Sequence, residues 1–222
     1  ECIEAANGSR IKATIMGEAM SFTIQIPGRH IANNALAVLL AVKVAGGDIQ
    51  KAAKALEKIE PIKGRGKREF LDLGDPQNPV TLIDESYNAS PVAMQAAFRV
   101  LALIDPGRGG RRIAVLGDMR EMGNAGPQAH ADLALPLQAA DVQLVYTCGP
   151  LMKNLYDALP QDRRGAHTKD SSELAQIVPD VLVPGDVVMV KGSNGSKMGV
   201  VVEALRKLPD AFRRKGRANE NA

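Results

Sequence analysis

The stretch VTLIDESYNASPVAMQAAFRVL, residues 80–101, decides the fold. Residues Val80–Asp84 are apolar or β-branched up to the aspartate, which predicts a strand. Ser90 followed by Pro91 is the pairing expected where a helix begins, with serine as N-cap and proline as the first helical residue, so a helix is predicted over 91–103. A polar loop separates the two elements. The stretch therefore predicts one strand–loop–helix unit.

The same alternation of strand and helix continues through the rest of the chain. Further strands are predicted at Arg112–Gly117, Val142–Cys148, Ala166–Lys169 and Asp186–Lys191. The helices between and after them are predicted at 127–140, 150–158, 171–181 and 199–207. Because strands that alternate with helices form parallel sheets with right-handed crossovers, the sequence predicts an α/β fold, a Rossmann-like domain with a mostly parallel sheet.

The first residues of the chain have a different pattern. They predict a β-hairpin followed by two helices, at 11–16, 21–27, Ile31–Ala45 and Ile49–Ile59. Asp48 is the expected N-cap of the second helix. A hairpin and two helices bury little apolar surface by themselves. We therefore expect residues 1–64 to be the C-terminal tail of a larger domain whose front lies upstream.

A linker is predicted between these two patterns. Residues 61–67, PIKGRGK, combine a proline, two glycines and three cations, a composition typical of domain boundaries. The Rossmann-like domain is then expected over 65–212. The last residues, 213–222, include three arginines and a lysine and are predicted to be a basic, flexible tail.

The composition excludes several classes of protein. With 45% hydrophobic and 24% charged residues among 222, the chain resembles an ordinary globular protein. Much of the net charge of +3 lies in the tail, and no basic stripe with interleaved aromatics occurs elsewhere, so no nucleic-acid partner is expected. No apolar stretch is long enough for a transmembrane helix, so no membrane partner is expected. Cys2 and Cys148 are too few for a disulfide framework.

Polar side chains follow three of the predicted strands, at 84–91, 116–121 and 191–197. In an open parallel sheet, ligands bind outside the carboxyl ends of the strands. Asp84 has the chemistry to accept hydrogen bonds from a ribose, and Lys191 to hold a carboxylate or a phosphate. Aspartate, serine and asparagine are also common turn and cap residues, so a structural role for each cluster stays open.

Two common kinds of site are not indicated. The segment GSNGSK, 192–197, lies between a strand and a helix as a phosphate loop does. It does not match G-x-x-x-x-G-K-[ST], however, and no such motif occurs in the 222 residues. His30, His130 and His167 show no spacing typical of zinc, so no metal-binding residue is predicted.

Five segments together resemble the Mur ligase family in order and spacing. They are PGRHIANNALAV (27–38), GRG (64–66), IDESYNASP (83–91), AVLGDMREMG (114–123) and VKGSNGSKM (190–198). The YNASP stretch is similar to the members that attach D-alanyl-D-alanine to UDP-N-acetylmuramoyl-tripeptide. The resemblance covers nearly all of the chain outside the basic tail.

The resemblance implies an ATP-dependent amide ligase of peptidoglycan precursor synthesis in the bacterial cytoplasm. In this family ATP phosphorylates the peptide carboxylate, and the incoming amine attacks the acyl phosphate. The family has a UDP-sugar domain, a central ATPase domain with a P-loop, and a Rossmann-like C-terminal domain. This chain would be the last domain, preceded by the tail of the central one. The P-loop and most Mg²⁺ ligands are then expected upstream, and the chain alone is expected to be inactive.

The resemblance also implies substrate contacts, although it assigns no catalytic residue. The ATP-binding residues would be His30, Asn34, Arg65 and Asp84. The residues that face the acyl phosphate and the dipeptide would be Tyr87, Asn88, Asp118, Lys191, Ser193 and Asn194. Ile31 stands where the family often has asparagine, which favours Asn34 for the adenine contact. The alternative is a non-catalytic module that binds a nucleotide or a peptide.

Overall fold

The computed structural model describes residues 1–211, which divide into two compact units. The first unit is Glu1–Ile62, and the second begins at Lys63. The sequence places this boundary two residues later, after residue 64. The basic tail expected at 213–222 lies outside the described residues.

The N-terminal unit is a three-stranded antiparallel sheet with two helices packed against it. Its elements are β1 (Cys2–Ala5), β2 (Gly8–Ile15), β3 (Glu18–Ile24), α1 (Arg29–Val44) and α2 (Ile49–Leu56). The predicted hairpin and both helices are confirmed. Strand β1 is missing from the prediction, because its four residues, CIEA, are too few to establish a periodicity.

The hairpin turn is tighter than predicted. Ile15 pairs with Glu18, so only Met16 and Gly17 connect the two strands. Both have positive φ angles, 48° and 83°, as in the two-residue turns whose twist matches that of the flanking strands. The core of this unit is formed by side chains from both the sheet and the helices, among them Ile11, Phe22, Ile24, Ala32, Leu39 and Ile49.

The C-terminal unit is a six-stranded sheet with helices packed against it. Its strands are β4 (Lys67–Leu71), β5 (Val80–Glu85), β6 (Arg112–Gly117), β7 (Leu144–Cys148), β8 (Arg164–Thr168) and β9 (Val187–Lys191). Its helices are α3 (Pro91–Ala102), α4 (Gly126–Ala131), α5 (Ala134–Ala139), α6 (Met152–Ala158), α7 (Ser171–Val181) and α8 (Gly199–Arg206). The strand order is β4-β5-β9-β6-β7-β8, and only the β4–β5 pair is antiparallel. The predicted α/β fold is therefore confirmed.

Two predictions in this unit are wrong. Residues 61–67 are not wholly a linker, because β4 begins at Lys67 and adds a sixth strand at the sheet edge. Its sequence, KREFL, is charged at three of five positions, as exposed edge strands often are, and this hides the apolar pattern of a strand. The helix predicted at 127–140 is two helices, because Pro136 lacks an N–H and its ring would clash with the carbonyl of Asp132.

Strand β9 forms the centre of the sheet. All five of its residues, VVMVK, are buried, because neighbouring strands lie on both sides and other elements cover both faces. Val188 and Val190 point towards one face, where they share a core with Val201 and Val202 of α8. Since side chains alternate along a strand, Lys191 points to the opposite face.

A buried ion pair closes the amino-terminal end of the sheet. Asp186 is fully buried. Its carboxylate accepts hydrogen bonds from the N, Nε and Nη2 atoms of Arg111, at 2.8, 3.1 and 2.7 Å, and from the N–H of Val183 at 2.9 Å. The hydrogen bond to Asp186 raises the pKa of the Arg111 guanidinium above its ordinary value.

We expect Arg111→Met to lower the free energy of unfolding by about 3 kcal/mol, because Asp186 would remain buried without its cation. Urea unfolding followed by circular dichroism measures this change. The control is Arg108→Met, which removes an arginine whose side chain is 85% exposed and paired with Asp75, and it should change stability by no more than about 0.5 kcal/mol. Equal effects of the two substitutions would contradict the structural role of Arg111.

Candidate functional site

The loops that follow β5, β6 and β9 lie side by side at the carboxyl edge of the C-terminal sheet. Strand β9 pairs in parallel with β5 on one side and with β6 on the other. Although the loops are far apart in sequence, at 86–90, 118–122 and 192–198, this pairing brings them to one place. The structure therefore brings together the three polar clusters that the sequence singled out.

Asp84 is fully buried at the end of β5. Its Oδ1 atom accepts hydrogen bonds from the N–H and the hydroxyl of Ser86, at 3.2 and 2.6 Å. Its Oδ2 atom accepts one from Nη2 of Arg206 at 3.2 Å. Both oxygens are thus used inside the protein. These contacts give Asp84 a structural role, and the ribose contact expected from the sequence stays a prediction.

Arg206, on α8, is the centre of a charge network behind Asp84. Its Nε atom donates to both carboxylate oxygens of Glu69, at 2.9 and 3.1 Å, and its Nη1 atom donates to Glu203 at 2.6 Å. The hydrogen bond to Glu69 is the main reason why the pKa of Arg206 is raised. Lys63 extends the network by pairing with Glu203 at 2.8 Å. The network connects β4, β5 and α8.

Lys191 is buried and already paired. Its side chain is 4% exposed, and its Nζ atom donates to Oε2 of Glu85 at 3.1 Å and to the carbonyl of Asn88 at 2.9 Å. The side chain of Glu85 is 26% exposed, and its Oε1 atom lies beside Gly66, where a Cβ atom would be 3.2 Å away. The partly open charge at this strand end is therefore Glu85, which the sequence analysis did not single out.

Asp118 fixes the start of α6. Its Oδ1 atom accepts a hydrogen bond from the N–H of Met152 at 2.8 Å, and its Oδ2 atom accepts one from Leu151 at 3.4 Å. Its backbone carbonyl accepts from the N–H of Ser193 at 3.1 Å and the hydroxyl of Ser196 at 2.9 Å. Asp118 thus positions the loop after β9 and orders a helix terminus.

Ser193 connects all three loops. Its buried hydroxyl accepts a hydrogen bond from the N–H of Arg120 at 2.9 Å and donates one to the carbonyl of Ala89 at 3.5 Å. Asn194, the next residue, is exposed and begins a short 3₁₀ turn. Of these two residues predicted to bind substrate, Ser193 holds the loops together and Asn194 is open to solvent.

Arg65 and Tyr87 form an open stacked pair. The guanidinium carbon of Arg65 lies 4.4 Å from the centre of the Tyr87 ring, and the Tyr87 side chain is half exposed. The backbone N–H of Tyr87 donates to the carbonyl of Gly64 at 3.2 Å, and this hydrogen bond holds the GRG segment beside the loop that follows β5. Asn88 is also exposed, although its Oδ1 atom accepts from the N–H of Ala89 at 2.8 Å.

His30 and Asn34 belong to the N-terminal unit. Both lie on the first two turns of α1 and both are exposed. The N-cap of this helix is Gly28, whose φ of 112° is accessible to glycine but strained for other residues. The predicted contacts of His30 and Asn34 with ATP stay predictions.

His130 has a role that the sequence does not indicate. It is fully buried on α4, where its Nε2 atom accepts a hydrogen bond from the N–H of Met119 at 2.9 Å. Its Nδ1 atom lies 2.6 Å from the carbonyl of Gly126, so it must carry the proton and donate. This neutral ring fixes the loop after β6. A lone histidine within a predicted helix gave no signal of such a contact.

The family of the chain follows from a comparison with known proteins. Residues 71–194 match the family described as Mur ligase, glutamate ligase domain. The match covers more than half of the 222 residues and runs from the end of β4 into the loop after β9. The chain belongs to this family.

Two relatives of this Mur ligase chain have the same name, UDP-N-acetylmuramoyl-tripeptide--D-alanyl-D-alanine ligase. The protein from Rickettsia prowazekii is 32% identical over 189 residues, which are 85% of this chain and 40% of the relative. The protein from Bacillus subtilis is 30% identical over 199 residues, which are 88% of this chain and 42% of the relative. The chain thus spans less than half the length of these relatives.

Solved structures share the fold of this Mur ligase chain. MurF ligase from Thermotoga maritima, in complex with ADP, superimposes with a TM-score of 0.75 and 19% identity, over 95% of this chain and 46% of that protein. MurF from Acinetobacter baumannii superimposes with a TM-score of 0.79 and 21% identity, over 93% of this chain and 44% of that protein. At these identities the likeness establishes a common fold.

Two further observations concern residues 1–211 of the Mur ligase chain. In that range, no helix has both the length and the apolar character needed to cross a membrane. Nor do three or more histidine, cysteine, aspartate or glutamate side chains of that range come together as a metal ion would require.

We expect Lys191→Met to lower the free energy of unfolding by about 1–3 kcal/mol, because Glu85 and the carbonyl of Asn88 would lose their shared charged donor. Chemical denaturation measures the change. Lys153→Met is the matched control, since Lys153 is half exposed and its ion pair, with Asp157 one turn along α6, is expected to contribute no more than about 0.5 kcal/mol. An unfolding curve unaffected by Lys191→Met would rule out the buried pairing.

Proposed function

We propose that this chain is the C-terminal part of an ATP-dependent ligase that joins D-alanyl-D-alanine to UDP-N-acetylmuramoyl-tripeptide in the bacterial cytoplasm. The proposal rests chiefly on relatives of that name, which match 85–88% of the chain. The polar loops at one sheet edge support it, because that edge is where open α/β sheets bind ligands. The fold shared with an ADP-bound ligase is consistent with a nucleotide substrate.

The proposed reaction needs groups from two parts of the longer protein. Transfer of a phosphoryl group to the peptide carboxylate requires a phosphate cradle and Mg²⁺, and no P-loop motif occurs in these 222 residues. We assign the cradle to an upstream ATPase region, of which residues 1–64 would be the end. The C-terminal unit would hold the ribose of ATP and the incoming dipeptide, whose amine displaces phosphate from the acyl phosphate.

Glu85 is the better candidate for the ribose of ATP. Its carboxylate is partly exposed and its Oε1 atom forms no hydrogen bond within residues 1–211, whereas Asp84 is buried and both of its oxygens accept hydrogen bonds. Carboxylates accept hydrogen bonds from both hydroxyls of a ribose. The exposed stack of Arg65 on Tyr87 adds a cation and an aromatic face for the rest of the nucleotide.

Tyr87, one of the six residues predicted to face the acyl phosphate and the dipeptide, is half exposed and stacked on Arg65. The other five fall into two groups. Asn88 and Asn194 are exposed and are available as hydrogen-bonding partners for a peptide. The side chains of Asp118, Lys191 and Ser193 are engaged within the protein. We assign to these three the task of holding the loops in place, so that removing one would affect the site through its shape rather than through a lost substrate contact.

We expect the chain of 222 residues by itself to release no phosphate from ATP in the presence of both other substrates. Removing a single stabilising donor from a transition state typically costs about 10²–10³ in rate, so loss of the whole phosphate cradle leaves no measurable turnover. The full-length protein is the positive control. Turnover by the short chain would refute the assignment of the phosphate cradle to an upstream region. Nucleotide binding without turnover by the full-length protein would favour the alternative, a non-catalytic module.

In the full-length protein, we expect Glu85→Gln to raise the KM for ATP about tenfold, the effect of one lost charge-assisted hydrogen bond, and to lower the melting temperature, because the buried Lys191 loses its charged partner. We expect Asp84→Asn to lower the melting temperature, because Arg206 loses a buried partner, and to leave the KM for ATP unchanged. Steady-state kinetics and thermal unfolding of both variants provide the test. A raised KM for ATP in Asp84→Asn, together with an unchanged KM in Glu85→Gln, would restore Asp84 as the ribose-binding residue.

A further inference from the structure

Under the proposed function, the site must also recognise an anion. The incoming dipeptide keeps its terminal carboxylate throughout the reaction, and such a group requires a cation or several donors. The sequence suggests Lys191 for this role. That lysine is buried and already neutralised by Glu85, so another cation has to provide the contact.

The other cations near the site are mostly engaged. Arg206 is shared among Glu69, Asp84 and Glu203, and Lys63 is paired with Glu203. Arg65 is stacked on Tyr87, where we have assigned it to the nucleotide. Among the cations of the loops after β6 and β9, Arg120 and Lys197 remain, and both are exposed.

Arg120 has a fixed backbone and an open side chain. Its N–H donates to the buried hydroxyl of Ser193 at 2.9 Å, and the preceding N–H, of Met119, donates to the buried His130 at 2.9 Å. Within residues 1–211 its guanidinium group forms no hydrogen bond or ion pair. The loop therefore presents an unpaired, permanent positive charge from a well-defined position.

The side chain of Arg120 rests on the loop that follows β9. A Cβ atom at Gly195 would lie 2.6 Å from both Cζ and Nη1 of Arg120 and 2.7 Å from its Nε, so the absence of a side chain at Gly195 makes room for the guanidinium. Gly195 does not have a positive φ, so its backbone does not itself require glycine. For Lys197, by contrast, no hydrogen bond or ion pair holds the ammonium group within residues 1–211, and no glycine in that range faces it as Gly195 faces Arg120.

We propose that Arg120 binds the terminal carboxylate of the incoming dipeptide. A guanidinium group offers two parallel N–H donors that match the two oxygens of a carboxylate, which fixes the orientation of the substrate as well as its position. Packing against Gly195 holds the guanidinium of Arg120 next to the loops that carry Asn88 and Asn194. This proposal rests on the proposed function, since it names the residue that recognises one of its substrates.

The first test is Arg120→Met in the full-length protein. Because the contact is made equally before and in the transition state, the KM for D-alanyl-D-alanine rises while kcat and the KM for ATP change little. The rise is about tenfold to a hundredfold, the range for a lost hydrogen bond to a charged group. With D-alanyl-D-alaninamide, which has no carboxylate, Arg120→Met has no effect. A structural defect would impair both substrates alike.

The second test moves the guanidinium without removing it. In Gly195→Ala, the added methyl group displaces the flexible Arg120 side chain from its position against Gly195. We therefore expect a higher KM for D-alanyl-D-alanine with an unchanged melting temperature. Arg108→Met, at the opposite end of the sheet, is the matched control for the loss of an exposed arginine and should leave every kinetic constant unchanged. Lys197→Met tests the competing cation and should leave the KM for the dipeptide unchanged.

The outcomes separate this inference from the proposed function. An active wild-type protein in which Arg120→Met leaves the KM for the dipeptide unchanged, or affects the dipeptide and its amide equally, overturns the role of Arg120 alone. A larger effect of Lys197→Met would transfer the role to that lysine. A wild-type full-length protein that is inactive with all three substrates refutes the proposed function, and this inference falls with it.

Discussion

The ion pair between Asp84 and Arg206 is the contact on which the C-terminal unit depends. A carboxylate that is fully buried at the end of a strand needs a charge and hydrogen bonds inside the protein, because water does not reach it. Arg206 supplies the charge and at the same time binds Glu69 and Glu203. One side chain therefore joins the edge strand β4, the first parallel strand β5 and the helix α8. The open polar groups begin one residue later, at Glu85.

The loops at the carboxyl edge hold one another in place. The carbonyl of Asp118 accepts from Ser193, the hydroxyl of Ser193 accepts from Arg120, and Lys191 donates to the carbonyl of Asn88. Each loop thus has its conformation set by a neighbour that is distant in sequence. Sites whose groups are held by packing and hydrogen bonds lose little entropy when they bind, so this edge is suited to recognition of a defined ligand.

The division between buried and open groups fits the proposed place of this unit in a longer enzyme. The groups left open include a carboxylate at Glu85, the Arg65–Tyr87 stack and the guanidinium of Arg120, which suit a ribose, the rest of a nucleotide and a carboxylate. A phosphate loop is absent from the sequence, and the chain spans less than half of its relatives. In the proposed enzyme, this unit would therefore orient two substrates while other regions handle phosphoryl transfer.

The sequence by itself determined the alternation of strands and helices, the helix start at Ser90 and the three loops that meet at the sheet edge, because these follow from local periodicity, capping and the rule for parallel sheets. It did not reveal β4, whose charged residues become a strand only by pairing with β5. Only the tertiary structure decided that Asp84 is buried and bonded to Arg206 while Glu85 is partly exposed. Adjacent residues of a strand point to opposite faces, and the position of α8, more than a hundred residues away, determines which face is covered.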